Sequence, residues 1–399
     1  MGRRQRRIAF VTTSRADYGH LYWPMQEVLQ SGDDELCLIA LGSHLSPEFG
    51  RTVEEIEKDG FPIADRIECL LSSDTDVGMA KTIGLATLGL ADSLGRLRPD
   101  LLVLIADRYE MLAPASTALA LRIPIVHIEG GEVSEGAIDE AVRNALTKMS
   151  HVHLTPTEMS RRRVLSMGEE PWRVHRVGAP SLDHLFRQRI PSRSEIERDL
   201  GVDLRVPTIL VLYHPVTLAQ DTTFEADSLY TALGQLDHPI IFCFPNADAG
   251  SRALIERSRR FCRQHPRAHL FVNLSHLKYW ALLRSVSVLV GNSSSGIMET
   301  PSLALPTVNV GIRQRGRERA RNILDVEPEP DAIRDAVSRA LRPEFRSSLS
   351  GLVNPYGDGH ASERIARILR EVELGDRLLR KPAVPLTASN ELHPVPQEP

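Results

Sequence analysis

Residues 101–128 read LLVLIADRYEMLAPASTALALRIPIVHI. The run LLVLI at 101–105 is apolar at every position, and PIVHI at 124–128 is nearly so. Between them, residues 110–122 have the composition and length of a helix. A strand that is apolar throughout is buried on both faces, and that happens in parallel sheets covered by helices on either side. This strand–helix–strand unit therefore sets the fold class as α/β.

The same alternation extends in both directions. Toward the N-terminus, RIAFVTT at 7–13 and LCLIAL at 36–41 read as strands, with helical stretches at 18–30, 46–59 and 78–97. Toward the C-terminus, residues 137–149 and 156–168 read as helices around a short strand, HVHL, at 151–154. The second half repeats the pattern. Its strands are expected at 208–213, 240–244, 268–272, 286–290 and 306–310, and its helices at 224–236, 249–264, 275–284 and 295–303. Residues 186–206 are charged, contain Pro191 and Gly201 and lack an apolar core, so a boundary is placed there. The expected organisation is two doubly wound, Rossmann-like domains facing a cleft, over residues 1–190 and 191–375, with the last helix crossing back. Residues 376–399 are proline-rich and read as a disordered tail.

Composition narrows the class. At 399 residues, with 42% hydrophobic and 25% charged, the chain is neither a disordered, a collagen-like nor a coiled-coil sequence. A net charge of -4 argues against a nucleic-acid partner. Of the 48 basic residues only five are lysine (Lys58, Lys81, Lys148, Lys278, Lys381). Arginine suits bidentate phosphate contacts, although coding bias also produces such a skew. The four cysteines show no metal-ligand spacing, and their scarcity fits a reducing compartment. The first apolar run is too short for a signal-peptide core or a membrane span, so no membrane partner and a cytoplasmic location are expected.

In open α/β sheets ligands sit beyond the carboxyl ends of the strands, so the strand-end loops decide the chemistry. None is a phosphate loop of the G-x-x-x-x-G-K-[ST] type, and none reads G-x-G-x-x-G. After the first strand comes Ser14-Arg15-Ala16-Asp17-Tyr18-Gly19. Arg15 beside a helix N-terminus suits an anion; alternatively Asp17 is an N-cap and Arg15 a solvated charge. Gly42-Ser43-His44 follows the second strand. Ala106-Asp107-Arg108 follows 101–105, an acid–arginine pair that is either a surface ion pair or a site. Glu129-Gly130-Gly131 follows 124–128 and sets a carboxylate in open backbone. The next helix begins with Asp139 and Glu140, where acids also suit the helix dipole. The second half supplies His214, Asn246, the turn Gly291-Asn292-Ser293-Ser294-Ser295-Gly296, then Glu299 and Arg313. A Gly/Ser-rich turn into a helix offers N–H groups to a diphosphate, and Glu299 could accept from a ribose. One half thus provides carboxylates and the other anion-binding groups. That division suits an enzyme that removes a proton while a diphosphate leaves.

Eight ordered motifs carry a resemblance: TSRADYGHL, GSHLSPEFG, ADRYEMLA, HIEGGEVSEGAIDEAVRNALTKMSH, YHPVT, PNADAGS, GNSSSGIMET and GIRQRGRERA. From about residue 7 to about residue 375 the chain resembles the hydrolysing UDP-N-acetylglucosamine 2-epimerases. The resemblance implies a glycosyltransferase-B type fold with the nucleotide held mainly by the second domain. Non-hydrolysing relatives read roughly H-V-E-A-G-L-R-T where this chain reads HIEGGEVSEG.

The implied reaction starts from UDP-N-acetylglucosamine or a close UDP- or GDP-linked 2-acetamido sugar. A carboxylate takes the C2 hydrogen as UDP leaves C1, giving a 2-acetamidoglucal. Water then adds with C2 inverted, releasing an N-acetylmannosamine-type sugar. By resemblance Asp107, Glu129 and Asp139, or its neighbour Glu140, are the acid–base candidates. Arg15, Arg108, His214, Asn246, Ser293, Ser294, Glu299 and Arg313 match the nucleotide-binding set, and His44 a position near the sugar. The route needs no metal or cofactor, and His151 and His153, alternating on one strand, are read as structural. Gly19 stands where some relatives carry a nucleotide-contacting serine. Alternative substrates are UDP-diacetamido-trideoxyhexoses, an alternative reaction is non-hydrolysing epimerisation, and relatives are commonly homodimers or homotetramers.

Overall fold

The computed structural model describes residues 4–382 except 72, 74, 220, 244–247, 249 and 273. The first half forms a seven-stranded parallel sheet. Its strands are β1 (Arg7–Thr12), β2 (Glu35–Leu41), β3 (Ile63–Ile67), β4 (Leu101–Ile105), β5 (Ile125–Ile128), β6 (Val152–Thr155) and β7 (Val174–Arg176), in the order β3-β2-β1-β4-β5-β6-β7. The second half forms a six-stranded parallel sheet of β8 (Ile209–Leu212), β9 (Ile240–Cys243), β10 (Ala268–Phe271), β11 (Val288–Gly291), β12 (Thr307–Val310) and β13 (Ile323–Val326), ordered β10-β9-β8-β11-β12-β13. The α/β class and the doubly wound topology are those read from the sequence. The central strands β1, β4, β5, β8 and β11 are buried almost throughout, because helices cover both faces.

Strand order reverses between β1 and β4 and again between β8 and β11. Chain leaving these neighbours diverges and opens a crevice at their carboxyl ends. The two crevices face one another and form the cleft.

Three strands escape the sequence reading: β3, β7 and β13. Each is an edge strand, half exposed, and carries charged residues such as Asp65, Arg66 and Asp325. The helix expected at 46–59 is a short turn, Pro47–Phe49, followed by Val53–Lys58. The helix expected at 295–303 is one turn, Ser295–Met298, and a tighter turn, Thr300–Leu303, containing Pro301.

After the second sheet the described chain returns to the first domain. Helix Ala361–Glu371 packs on helix Arg15–Ser31, and Ile365, Leu369 and Leu378 lie in the first-domain core. The expected tail from 376 is corrected here: Asp376–Leu379 is helical and held. Arg173, buried, donates to the carbonyls of Leu378 (2.8 Å), Arg377 (2.9 Å) and Arg380, and to that of His151 at 3.1 Å. Those groups capture a strap that composition alone reads as loose. Residues 383–399 of the expected tail lie outside the described residues. Replacing Arg173 by Met removes these four bonds, and at about 1 kcal/mol each a loss of roughly 4 kcal/mol is expected. Thermal melting checks this, and a wild-type melting curve would show that the strap contributes nothing. Among the described residues no helix is long and apolar enough to cross a membrane.

Candidate active site

The first wall of the cleft is built at the ends of β1, β4 and β5. Ser14, not Asp17, caps helix Arg15–Ser31, its hydroxyl accepting from the Asp17 N–H at 3.4 Å. The Asp17 carboxylate turns back and accepts the Thr13 N–H at 3.0 Å. This fixes the first turn and leaves Arg15 on the cleft wall.

After β4, Arg108 is buried and donates to Glu110 at 2.9 Å and, across the cleft, to Asp248 at 2.8 Å. Asp107 accepts from Arg143 and lies 3.9 Å from Arg317 of the second domain. Arg143 is itself 1% exposed and also donates to the Glu132 carbonyl (2.9 Å), the Ser134 hydroxyl (3.0 Å) and Glu140 (3.0 Å). After β5, Glu129 adopts φ +65, the left-handed region, and lines the cleft. Gly131 follows at φ +78, where a Cβ would stand 2.2 Å from the Ser160 carbonyl oxygen, so only glycine fits. Asp139 starts helix Asp139–Met149 and meets Arg313 of the second domain at 3.1 Å. Burial pushes the Asp139 carboxyl up, Arg313 pulls it down, and the net direction is up.

The second wall comes from the ends of β8, β11 and β12. Gly291 has φ +144, and a Cβ there would lie 2.0 Å from the Leu212 carbonyl oxygen. This close approach lets the Asn292 side chain accept from the His214 N–H at 2.7 Å and donate to its carbonyl at 2.9 Å. His214 is thereby set on the cleft, where burial and then Arg313 lower its pKa to about 3. Its imidazole is neutral and able to donate one hydrogen bond. Ser293 and Ser294 line the turn. Glu299 accepts from the Ser295 hydroxyl, which also meets Tyr279, and burial raises its pKa. Arg313 donates to the Asn292 carbonyl at 3.2 Å, and its buried Nε has no hydrogen-bond partner among the described residues.

The structure therefore gathers Asp107, Glu129, Asp139, Arg15, Arg108, His214, Ser293, Ser294, Glu299 and Arg313 around one cleft. Two expectations need correction. His44 lies in the domain interior, its ring nitrogens 2.9 Å from Thr12 Oγ1 and 2.7 Å from Thr52 Oγ1, and burial lowers its pKa to about 3. It braces the turns after β1 and β2 and does not line the cleft. Glu140 accepts from the Ser134 N–H at 2.7 Å and from Arg143, so it anchors the wall behind the site. Asn246 lies outside the described residues. His151 accepts the Ile125 N–H at 3.0 Å and His153 meets buried Glu169 at 3.0 Å, both in structural roles.

Sequence reading missed His20, Arg143 and Arg317, which also line the cleft. Arg143 carried a signal, lying four residues after Asp139 on the same helix face. Arg317 lies within GIRQRGRERA, four residues after Arg313. Chemically the arrangement sets three carboxylates on one wall against arginines that reach over from the other. A charged leaving group would find fixed donors there, and a weakly acidic C–H would find a placed base.

A sequence-family model described as UDP-N-acetylglucosamine 2-epimerase matches residues 26–370. The UDP-N,N'-diacetylbacillosamine 2-epimerase (hydrolyzing) of Legionella pneumophila is 37% identical over 378 residues, covering 94% of this chain and 98% of that protein. The GDP/UDP-N,N'-diacetylbacillosamine 2-epimerase (hydrolyzing) of Campylobacter jejuni is 38% identical over 326 residues, covering 81% and 85%. The crystal structure of UDP-GlcNAc 2-epimerase from Neisseria meningitidis bound to UDP-GlcNAc aligns with a TM-score of 0.77 at 18% identity, over 92% of this chain and 100% of that one. At that identity the likeness is one of fold.

Proposed function

Because the chain belongs to the UDP-N-acetylglucosamine 2-epimerase family, on its hydrolysing side, we propose that it eliminates UDP from a UDP-linked 2-acetamido sugar and hydrates the resulting glycal with inversion at C2. The observation that carries this reading is the division of the cleft, with Asp107, Glu129 and Asp139 on the first-domain wall and Arg313 and Arg317 meeting them from the second. The diphosphate lies by the Ser293–Ser295 turn. Arg313 and Arg15 take its charge, and neutral His214 donates to it. Glu299 accepts from the ribose. Asp107 and Glu129 share the acid–base work: one takes the C2 proton as the C1–O bond breaks, and the pair then directs water to C1 and a proton to C2. The free sugar and UDP leave separately.

The substrate proposed first is a UDP-linked 2,4-diacetamido-2,4,6-trideoxyhexose, supported by the names of the two relatives at 37% and 38% identity. UDP-N-acetylglucosamine, favoured by the motif reading, is the second candidate. Proton and phosphorus NMR in D2O with each sugar tests both. UDP accumulating with free sugar deuterated at C2 is the expected result. An equilibrium of two UDP-sugars with no UDP would make the protein a non-hydrolysing epimerase. Turnover of UDP-N-acetylglucosamine alone would exchange the order of the two substrates.

A further inference from the structure

His20 stands on helix Arg15–Ser31 between the two walls. Its Nδ1 lies 2.8 Å from Glu129 Oε1, and its Nε2 lies 3.8 Å from Glu299 Oε1. The two carboxylates belong to different domains. Glu129 follows β5, while Glu299 follows the turn that receives the diphosphate. Both are nearly buried, at 6% and 7% side-chain exposure. Glu129 also holds a left-handed backbone at φ +65, which costs an L-residue about 1–2 kcal/mol. Its carboxylate has His20 as its one hydrogen-bond partner among the described residues. A strained turn with a single side-chain anchor is aimed by that anchor.

The groups facing the ring are Asp17 on its own helix, Glu129, Glu299 and His184. Burial opposes a charge on His20, but Glu129, Glu299 and Asp17 outweigh it and raise its pKa to about 9. At neutral pH the ring carries two N–H donors, one for each wall.

We propose that His20 is a positioning residue for the elimination: it holds the Glu129 carboxylate toward the sugar and ties it to Glu299, so that domain closure on the nucleotide completes the acid–base geometry. This rests on the reading of the site given above. Below the folded pKa both links are intact. As pH rises through it the ring loses one donor, one link is lost, and kcat falls.

His20→Gln and His20→Lys test this, with kcat and KM followed from pH 6 to about 10.5 and UDP affinity by calorimetry. Gln keeps one donor and loses the charge, so kcat is expected to fall about 100-fold, the size of effect that a misplacement of about 1 Å produces. KM and UDP affinity are expected to change little, and the basic limb near pH 9 to disappear. Lys keeps a cation of higher pKa, so activity is expected to recover at least partly and the basic limb to move up. Wild-type kcat with an unmoved basic limb in His20→Gln would overturn the proposal, as would a His20→Lys enzyme no better than His20→Gln. Should the variants not fold, nitrogen NMR of the imidazole decides the matter in the UDP-bound protein. A titration near pH 9 that falls by a unit or more in Glu129→Gln is expected, and an unchanged titration would overturn the link. A folded wild-type protein that releases UDP from no UDP-sugar would instead sink the functional reading, and the imidazole titration would still judge His20.

Discussion

Asp107→Asn is expected to lower kcat by about 1,000-fold while UDP affinity stays within a few-fold of wild type, because a general base contributes roughly 10²–10⁴ to rate. The side chain sits at the end of β4 and accepts from Arg143, with Arg317 3.9 Å away. Asparagine matches the carboxylate in size and keeps one oxygen for Arg143, but it cannot take a proton. The fold should survive, since Arg143 retains Glu140, Ser134 and the Glu132 carbonyl. Removing the arginine instead would leave Asp107 without its donor and confound chemistry with stability. Release of UDP gives kcat, and calorimetry with UDP gives affinity. Full activity in Asp107→Asn would remove this carboxylate from the mechanism, whereas joint loss of activity and affinity would move it to binding.

The second large effect is expected at Arg313. Its guanidinium pairs with Asp139, meets the Asn292 carbonyl and keeps Nε without a partner among the described residues. Two charge-assisted hydrogen bonds to a diphosphate, at roughly 1.5–3 kcal/mol each, correspond to a loss of about 100-fold or more in UDP affinity for Arg313→Ala. Lysine at the same place restores the charge without the planar fork, so partial recovery is expected. The dependence of UDP affinity on ionic strength should weaken in Arg313→Ala, since a screened cation has been removed. Unchanged affinity would exclude Arg313 from the nucleotide seat.

What the sequence reveals follows from where each element lies. Central strands such as LLVLI at 101–105 are buried on both faces and stand out as continuous apolar runs. Edge strands β3, β7 and β13 face solvent on one side, so their charged residues hide them. The strand-end loops were legible because packing does not explain a carboxylate before two glycines, and Glu129 and Asp107 do line the cleft. His44 misleads because its place in a strand-end loop says nothing of which way the ring turns. It turns inward to two threonine hydroxyls. His20 and Arg317 were hidden for the opposite reason. Their partners lie 109 and 210 residues away in sequence, at Glu129 and Asp107, and only folding brings them together.

The captured strap and the returning helix also bear on how the protein is made. Ile365, Leu369 and Leu378 complete the core that residues 7–177 begin. On the ribosome the first half therefore emerges with one side of helix Arg15–Ser31 still uncovered. The second sheet, with its own two clusters, is contiguous in the chain and can close earlier. The domain synthesised first is finished last, and a nascent chain halted before residue 361 would hold an apolar face open to chaperones or to a neighbouring polysome.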